Sequence, residues 1–360
     1  MSMRVVVAGG GIVGCLTALE LAARGCQVTL VERGEIASQS SGEASWAGAG
    51  ILFPLLPWMY AEAVNQLTLV GAGLYPELCE RLLAETGVDA EYQQCGMLLL
   101  PQFDPIAAQI WCDAHAIAAE NVPVSQFKVQ SLSAGDAMWL PTVGQLRPPY
   151  LMKALRLSLQ LHGVELLERT ELKPLPMVDR LDEWETVSGT KLAADKFVVT
   201  SGAWSFELLK ANAMKLNIKP MRGQIVLYNQ PAEPLAHMVY REGFYMVPRK
   251  DGLLLAGSTL EDVGFDIGTT ESVRDELAAK AEMIISELKH MPILKHWSGL
   301  RPGTPENLPT ISAHPEVQNL FLNTGHFRYG LTMAPASAKM IAALVCGEKP
   351  LQDARPFELN

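Results

Sequence analysis

With 360 residues, 49% hydrophobic and 19% charged, the chain has ample material for buried cores and is longer than one core usually serves, which excludes disorder and favours two interdependent domains. A net charge of −10 with no basic run argues against nucleic acid as a partner, since that affinity depends on clustered Lys and Arg, although one or two local arginines can still bind a small anion. Cysteines 15, 26, 79, 95, 112 and 346 form no C-x-x-C pair and no zinc spacing, so free thiols in a reducing cytoplasm and no metal site are expected.

In chain order, glycines break the opening apolar run after Ala8, so no signal peptide is expected. The run predicts a strand over 4–8, and apolar residues at helical spacing predict a helix over 12–24 that Gly25 stops. A second strand covers 27–31. Residues 37–50, rich in Ser, Gly and Ala, permit close backbone approach to something flat or charged. Prolines 54 and 57 interrupt the apolar stretch 51–60, and no segment is expected to span a membrane. Helices are predicted at 67–83, 106–119 and 150–162, the last closed by Gly163, and strands at 97–100, 164–167 and 171–177. A polar hairpin leads to a strand at 196–200, followed by strands at 225–228, 243–247 and 253–256 and a long amphipathic helix over 271–290. A strand at 320–323, a glycine-bounded turn at 325–330 and a helix at 331–345 close the chain. With no repeat and no low-complexity linker, a mixed α/β fold with interleaved domains is expected.

Gly9, Gly11 and Gly14 lie between a predicted strand and helix, and Glu32 ends the next strand 18 residues after Gly14. In that context G-x-G-x-x-G is a dinucleotide signature. Gly9 allows the tight turn, Gly11 lets the backbone near a diphosphate, Gly14 lets helix pack on strand, and Ile12 and Val13 open the helix whose N-terminus faces the anion. Glu32 would accept hydrogen bonds from ribose hydroxyls and disfavour a 2′-phosphate, an inference that neighbouring Arg33 weakens. The plainer alternative is a turn that only packs tightly, with Glu32 a solvated strand-end carboxylate. FAD suits the chain better than NAD, because regular β-α alternation does not continue. Instead the Ser/Gly/Ala segment, with Ser40, Ser41 and Ser45 as expected cofactor contacts, follows at once, and the distant Gly325–Gly330 turn offers a second glycine-rich approach.

The segments GGGIVG, SSGEASWAGAGIL, VVTSGAWS, PMRGQIV, YMVPRKDG, GSTLEDVGFD, GLRPGTPENLPTIS and GHFRYGLTMAPAS resemble the D-amino-acid oxidase superfamily, and within it the glycine oxidases of thiamine thiazole biosynthesis. The resemblance implies a Rossmann-like FAD-binding domain (1–55, 143–214 and 299–360) interleaved with an antiparallel-sheet substrate domain (56–142 and 215–298). It implies that Ala47, Gly48, Ala49, Gly50 and Ile51 line the flavin ring and that Leu172 lies on a strand at the adenine end. Gly202 and Trp204 would border the cofactor, and His326, Phe327, Arg328, Tyr329, Gly330, Leu331 and Thr332 would face the flavin's pyrimidine edge. No cysteine lies near Arg301, where relatives attach flavin covalently, so FAD is expected to be non-covalent.

By the same resemblance Arg301 pairs with a substrate carboxylate, Tyr245 assists it, Arg328 is a second arginine near the pocket, and Leu260 forms pocket wall. Read without it, Arg301 is equally a loop arginine pairing with Glu306, Tyr245 a packing residue, and His326 a turn residue with satisfied hydrogen bonds. Glu261, Asp262 and Asp266 read as a solvated acidic turn. Gly243 and Phe244 stand where some relatives carry a histidine. The expected reaction is oxidative deamination of glycine, sarcosine or a small D-amino acid by hydride transfer to the flavin, with no side-chain base. Dioxygen would be the acceptor and hydrogen peroxide a product, and thiazole synthase a partner. A homo-oligomer is expected by analogy. A dehydrogenase passing electrons to a quinone or protein, and a non-catalytic redox-sensing flavoprotein, are the alternatives.

Overall fold

The computed structural model describes residues 2–39, 42–129 and 136–359. Its first sheet grows from the opening strand Arg4–Ala8, whose Val5 to Ala8 are buried on both faces, as β-branched residues in a parallel sheet should be. Gln27–Val31 and Lys196–Val199 flank it in parallel, Glu165–Leu167 continues one side, and Leu320–Thr324 followed by antiparallel Thr310–Ala313 continues the other. One face packs on Ile12–Ala23, Pro148–Leu161 and Gly330–Cys346, the other on a smaller cluster around Leu172, Trp184 and Leu216.

The second sheet has eight strands in the order Lys295–Gly303, Lys219–Asn229, Leu253–Gly257, Phe244–Pro248, Met238–Arg241, Met97–Leu99, Ala137–Leu140 and Glu120–Val122. All its pairings are antiparallel except that of Met238–Arg241 with Met97–Leu99. Residues 295–303 were not expected to be a strand, since the run carries Gly299, Pro302 and Gly303. It is the edge strand of the sheet, where proline and glycine are tolerated, and it pairs with Lys219–Asn229 along its whole length.

Other differences have equally local causes. The helix expected over 67–83 is two, Glu62–Gly73 and Tyr75–Thr86, because Gly71 and Gly73 weaken the first and Pro76 begins the second. The helix expected over 106–119 stops at Ala114 and that over 271–290 at Ile284, followed by a 3-10 turn. Pro174 and Pro176 remove ladder donors, so 171–177 forms no strand and Leu172 makes only an isolated bridge to Thr186. Phe327–Cys346 is long and apolar enough to cross a membrane, against the sequence expectation, but 72% of its apolar window is buried inside the protein. It is the central helix of the first core, which explains its composition.

Candidate cofactor and substrate site

One continuous cavity of about 660 Å3 runs between the two sheets. At one end the glycine turn leaves strand Arg4–Ala8 for helix Ile12–Ala23. Gly9 has φ +117°, a conformation L side chains rarely adopt, and a Cβ there would lie 2.7 Å from the Thr200 carbonyl oxygen. A Cβ on Gly14 would sit 1.8 Å from the Gly9 carbonyl oxygen, so glycine alone lets helix and strand touch. The Thr200 hydroxyl donates to the carbonyls of Ala8 and Gly9, and that of Ser201 to Ala8, fixing the turn from the neighbouring strand. Ile12 N donates to the Ser45 hydroxyl at 3.0 Å.

Glu32 is 7% exposed, which rules out the solvated carboxylate. Its oxygens accept from the amides of Gly10 (2.7 Å) and Gly34 (2.8 Å) and, with two lone pairs each, can still receive hydroxyl donors from the cavity. Arg33 is exposed, its guanidinium 3.7 Å above the Trp204 ring, which in turn stacks on Phe265 at 5.7 Å.

The middle of the cavity is walled by Ala47 to Ile51 on one side and His326 to Thr332 on the other. Buried Arg249 supports the first wall, donating to the carbonyls of Ala49 (2.7 Å) and Leu146 (2.9 Å) and to the Gln145 side chain (2.7 Å). Burial pulls its pKa down to about 10. The Thr332 hydroxyl and Tyr329 hydroxyl tie the two walls together through the carbonyls of Ile51 and Leu55. The turn at 326–330 does not satisfy His326. This residue is 2% exposed, its Nε2 has no partner, and burial pushes its pKa down to about 3, so it is a neutral ring facing the cavity. Asn323 Oδ1 is likewise buried and unpartnered beside it on the lining.

At the far end Arg301 sits on the edge strand, half-buried, and lines the cavity. Its guanidinium donates to the Thr259 carbonyl (3.1 Å) and the Ser258 hydroxyl (2.8 Å), so it is not the loop arginine of an ion pair with Glu306. Loss of water lowers its pKa, opposed by the Tyr245 hydroxyl beside it. Gly223 on the paired strand makes this position possible, since a Cβ there would meet Nη1 at 2.0 Å. Tyr245, 7% exposed, and Tyr240 lie opposite each other on adjacent strands and both line this end. Arg328 is an exposed cation at the rim.

Of the residues predicted for the site, all but four line this cavity. Gly14 packs just behind it, Ser40 and Ser41 lie outside the described residues, and Leu260, 42% exposed, stands outside the lining while Ser258, two residues earlier, reaches in. The acidic turn is not merely solvated, because Glu261 (2.7 Å) and Asp266 (2.6 Å) grip the buried Arg222 guanidinium. Gly223, Ser258, Thr200, Ser201 and Arg249 were missed as site residues. Each lay inside a motif quoted above or beside one, but pairing across strands, which gives each its place, leaves no mark in a single chain.

A glycine cradle at a helix N-terminus, a buried carboxylate and unpartnered polar atoms on the facing wall fit a dinucleotide with a flat polar ring system. The profile of the FAD dependent oxidoreductase family, DAO, matches residues 4–344. The chain is 43% identical to a glycine oxidase of Pseudomonas aeruginosa, over 99% of this chain and 98% of that one. It is 30% identical to the bifunctional protein ThiO/ThiG of Trichormus variabilis, over 97% of this chain and 53% of that longer one. Among solved structures, a glycine oxidase from Geobacillus kaustophilus superposes with a TM-score of 0.87 at 26% identity, covering 100% of this chain and 99% of that one. The nested sheets, the glycine turn and the full-length match together place the chain in the DAO family of FAD-dependent oxidoreductases.

Proposed function

We propose that this enzyme oxidises glycine, or a comparably small amino acid or N-methyl amine, and that the product feeds thiazole formation. The observation that carries the reading is Arg301, a guanidinium partly stripped of water, seated on Gly223 and flanked by the Tyr245 hydroxyl, inside the same cavity as the cofactor cradle. A planar fork beside a phenol is matched to a carboxylate, and a carboxylate fixed there holds the adjoining α-carbon at one distance from the wall formed by Ala47 to Ile51. FAD held here would supply the hydride acceptor, with dioxygen as the terminal oxidant and hydrogen peroxide as its product.

No side-chain base is needed at the Arg301 end. Of the lining carboxylates, Glu32 holds the glycine turn, Glu43 is close enough to Cys15 to raise that thiol's pKa further, Glu171 adjoins Leu172 in the chain and Glu207 is paired with Lys210. His326 stays neutral and the lining offers Tyr245, Tyr240 and Ser258 instead. Substrate therefore reacts as the free amine, whose lone pair expels the hydride to leave an iminium cation, which loses a proton to solvent and then hydrolyses or passes on as the imine. The relative in which ThiO is fused to ThiG supports a thiazole-forming consumer of that product.

The test is anaerobic mixing of the holoenzyme with glycine, sarcosine, D-alanine and D-proline, followed by flavin absorbance. Rapid bleaching by glycine is expected, and bleaching only by larger amines would overturn the substrate assignment. In Arg301→Ala, kcat/KM should fall about 100-fold or more, through KM above all, with FAD content unchanged. Unaltered kinetics would remove the carboxylate anchor.

A further inference from the structure

The helices Ile12–Ala23 and Gly330–Cys346 both begin at the cofactor cavity, where Ile12 and Gly330 are lining residues. They pack along each other, and their opposite ends meet at the molecular surface. There Cys26, just past the C-terminus of the first, has its Sγ 3.9 Å from the Sγ of Cys346, the last residue of the second. Both side chains are half-buried and both are free thiols. The corner is already fixed by charge: Arg24 donates to Glu20 (2.6 Å) and to Glu348 (3.1 Å), and Lys339 on the closing helix reaches Glu20 at 3.0 Å. Glycines with positive φ, Gly25 and Gly347, end the two helices and turn the chain beside each cysteine.

We infer that Cys26 and Cys346 are a redox modification site, a dithiol that a peroxide converts to a disulfide stapling the two cofactor-facing helices at their far ends and slowing cofactor release. Closing 3.9 Å to the roughly 2.05 Å of an S–S bond needs side-chain rotation and a small approach of two helix ends. In the reaction one thiolate attacks a peroxide oxygen and expels hydroxide, leaving a sulfenic acid. The second thiol's sulfur attacks that sulfur, the S–S bond forms as the S–O bond breaks, and the oxygen leaves as water. Two electrons pass from the two sulfurs to the peroxide, which ends as two waters. Burial, then the neighbouring Cys346, hold the Cys26 thiol up at about 11, so this is a slow reaction that sustained peroxide completes and a brief pulse does not. The site is independent of which amine the enzyme oxidises.

The experiment incubates holoenzyme with hydrogen peroxide, removes the excess with catalase, blocks free thiols, and maps peptides without reduction while flavin release on dilution is followed by fluorescence. The expected result is one linked pair of peptides containing Cys26 and Cys346, with flavin release slowed by about threefold or more, since opening of the helix ends is then restrained. Dithiothreitol should restore the original rate, and neither change should appear in Cys26→Ser or Cys346→Ser, both of which keep FAD in the untreated state. Recovery of the two cysteines on separate peptides, as thiols or as sulfinic acids, overturns the inference. So does a linked pair that leaves the release rate unchanged, or a slowed rate that persists in either serine variant.

Discussion

At Gly223 a single missing carbon decides whether the substrate end of the cavity exists. Its backbone is ordinary extended strand, so alanine would be tolerated by the chain itself, yet the new methyl would lie 2.0 Å from Arg301 Nη1. The guanidinium would be driven off its seat while the fold and cofactor cradle remained. Gly223→Ala is expected to lower kcat/KM for small amino acids by roughly 10-fold or more with little change in FAD content or melting temperature, read by steady-state kinetics and thermal unfolding. His326 governs how stability responds to acid. Its folded pKa of about 3 lies below the unfolded value near 6.5, so the unfolded chain binds the extra proton first on acidification. Stability from this residue is complete above about pH 6.5 and declines toward pH 3, by about 2 kcal/mol at pH 5. His326→Gln, which cannot take that proton, should show a shallower fall in melting temperature between pH 7 and pH 5.

Among the elements, the helix Ile12–Ala23 is held against its strand only because Gly14 lacks a side chain. Gly14→Ala would place a methyl 1.8 Å from the Gly9 carbonyl, and expression of an apoprotein unable to retain flavin is the expected outcome, scored by the ratio of flavin to protein absorbance. This unit was fully legible in the sequence, since strand, turn and helix are adjacent and each has its own local signature. The strand Lys295–Gly303 was not. Its sequence, KHWSGLRPG, has neither the alternation nor the β-branched residues of a strand, and it is held in place by the partner strand Lys219–Asn229. Arg301 could therefore be proposed as an anchor by resemblance, while its position on an edge strand above Gly223 could not be read at all. Leu260 illustrates the same limit, since whether a residue just past a strand faces the cavity or solvent depends on a register that a single chain does not record.

Across the whole molecule, the cavity lies between the two sheets and takes lining residues from both chain ends and the middle. A ligand that binds only this assembled form stabilises it by mass action, so FAD at about 100 times its Kd should add roughly 2.7 kcal/mol and make the melting temperature rise with FAD concentration. A melting temperature indifferent to added FAD in flavin-stripped protein would contradict a cavity built around the cofactor. Leu320–Thr324 sits beside Lys196–Val199, which sits beside Arg4–Ala8, and the helix that follows Leu320–Thr324 completes the wall opposite Ala47 to Ile51. A nascent chain therefore leaves the ribosome with its diphosphate turn made early and the opposite wall of the cavity still missing. Cofactor capture waits until residues 326–332 have been made, and a chain that stops before them never turns yellow.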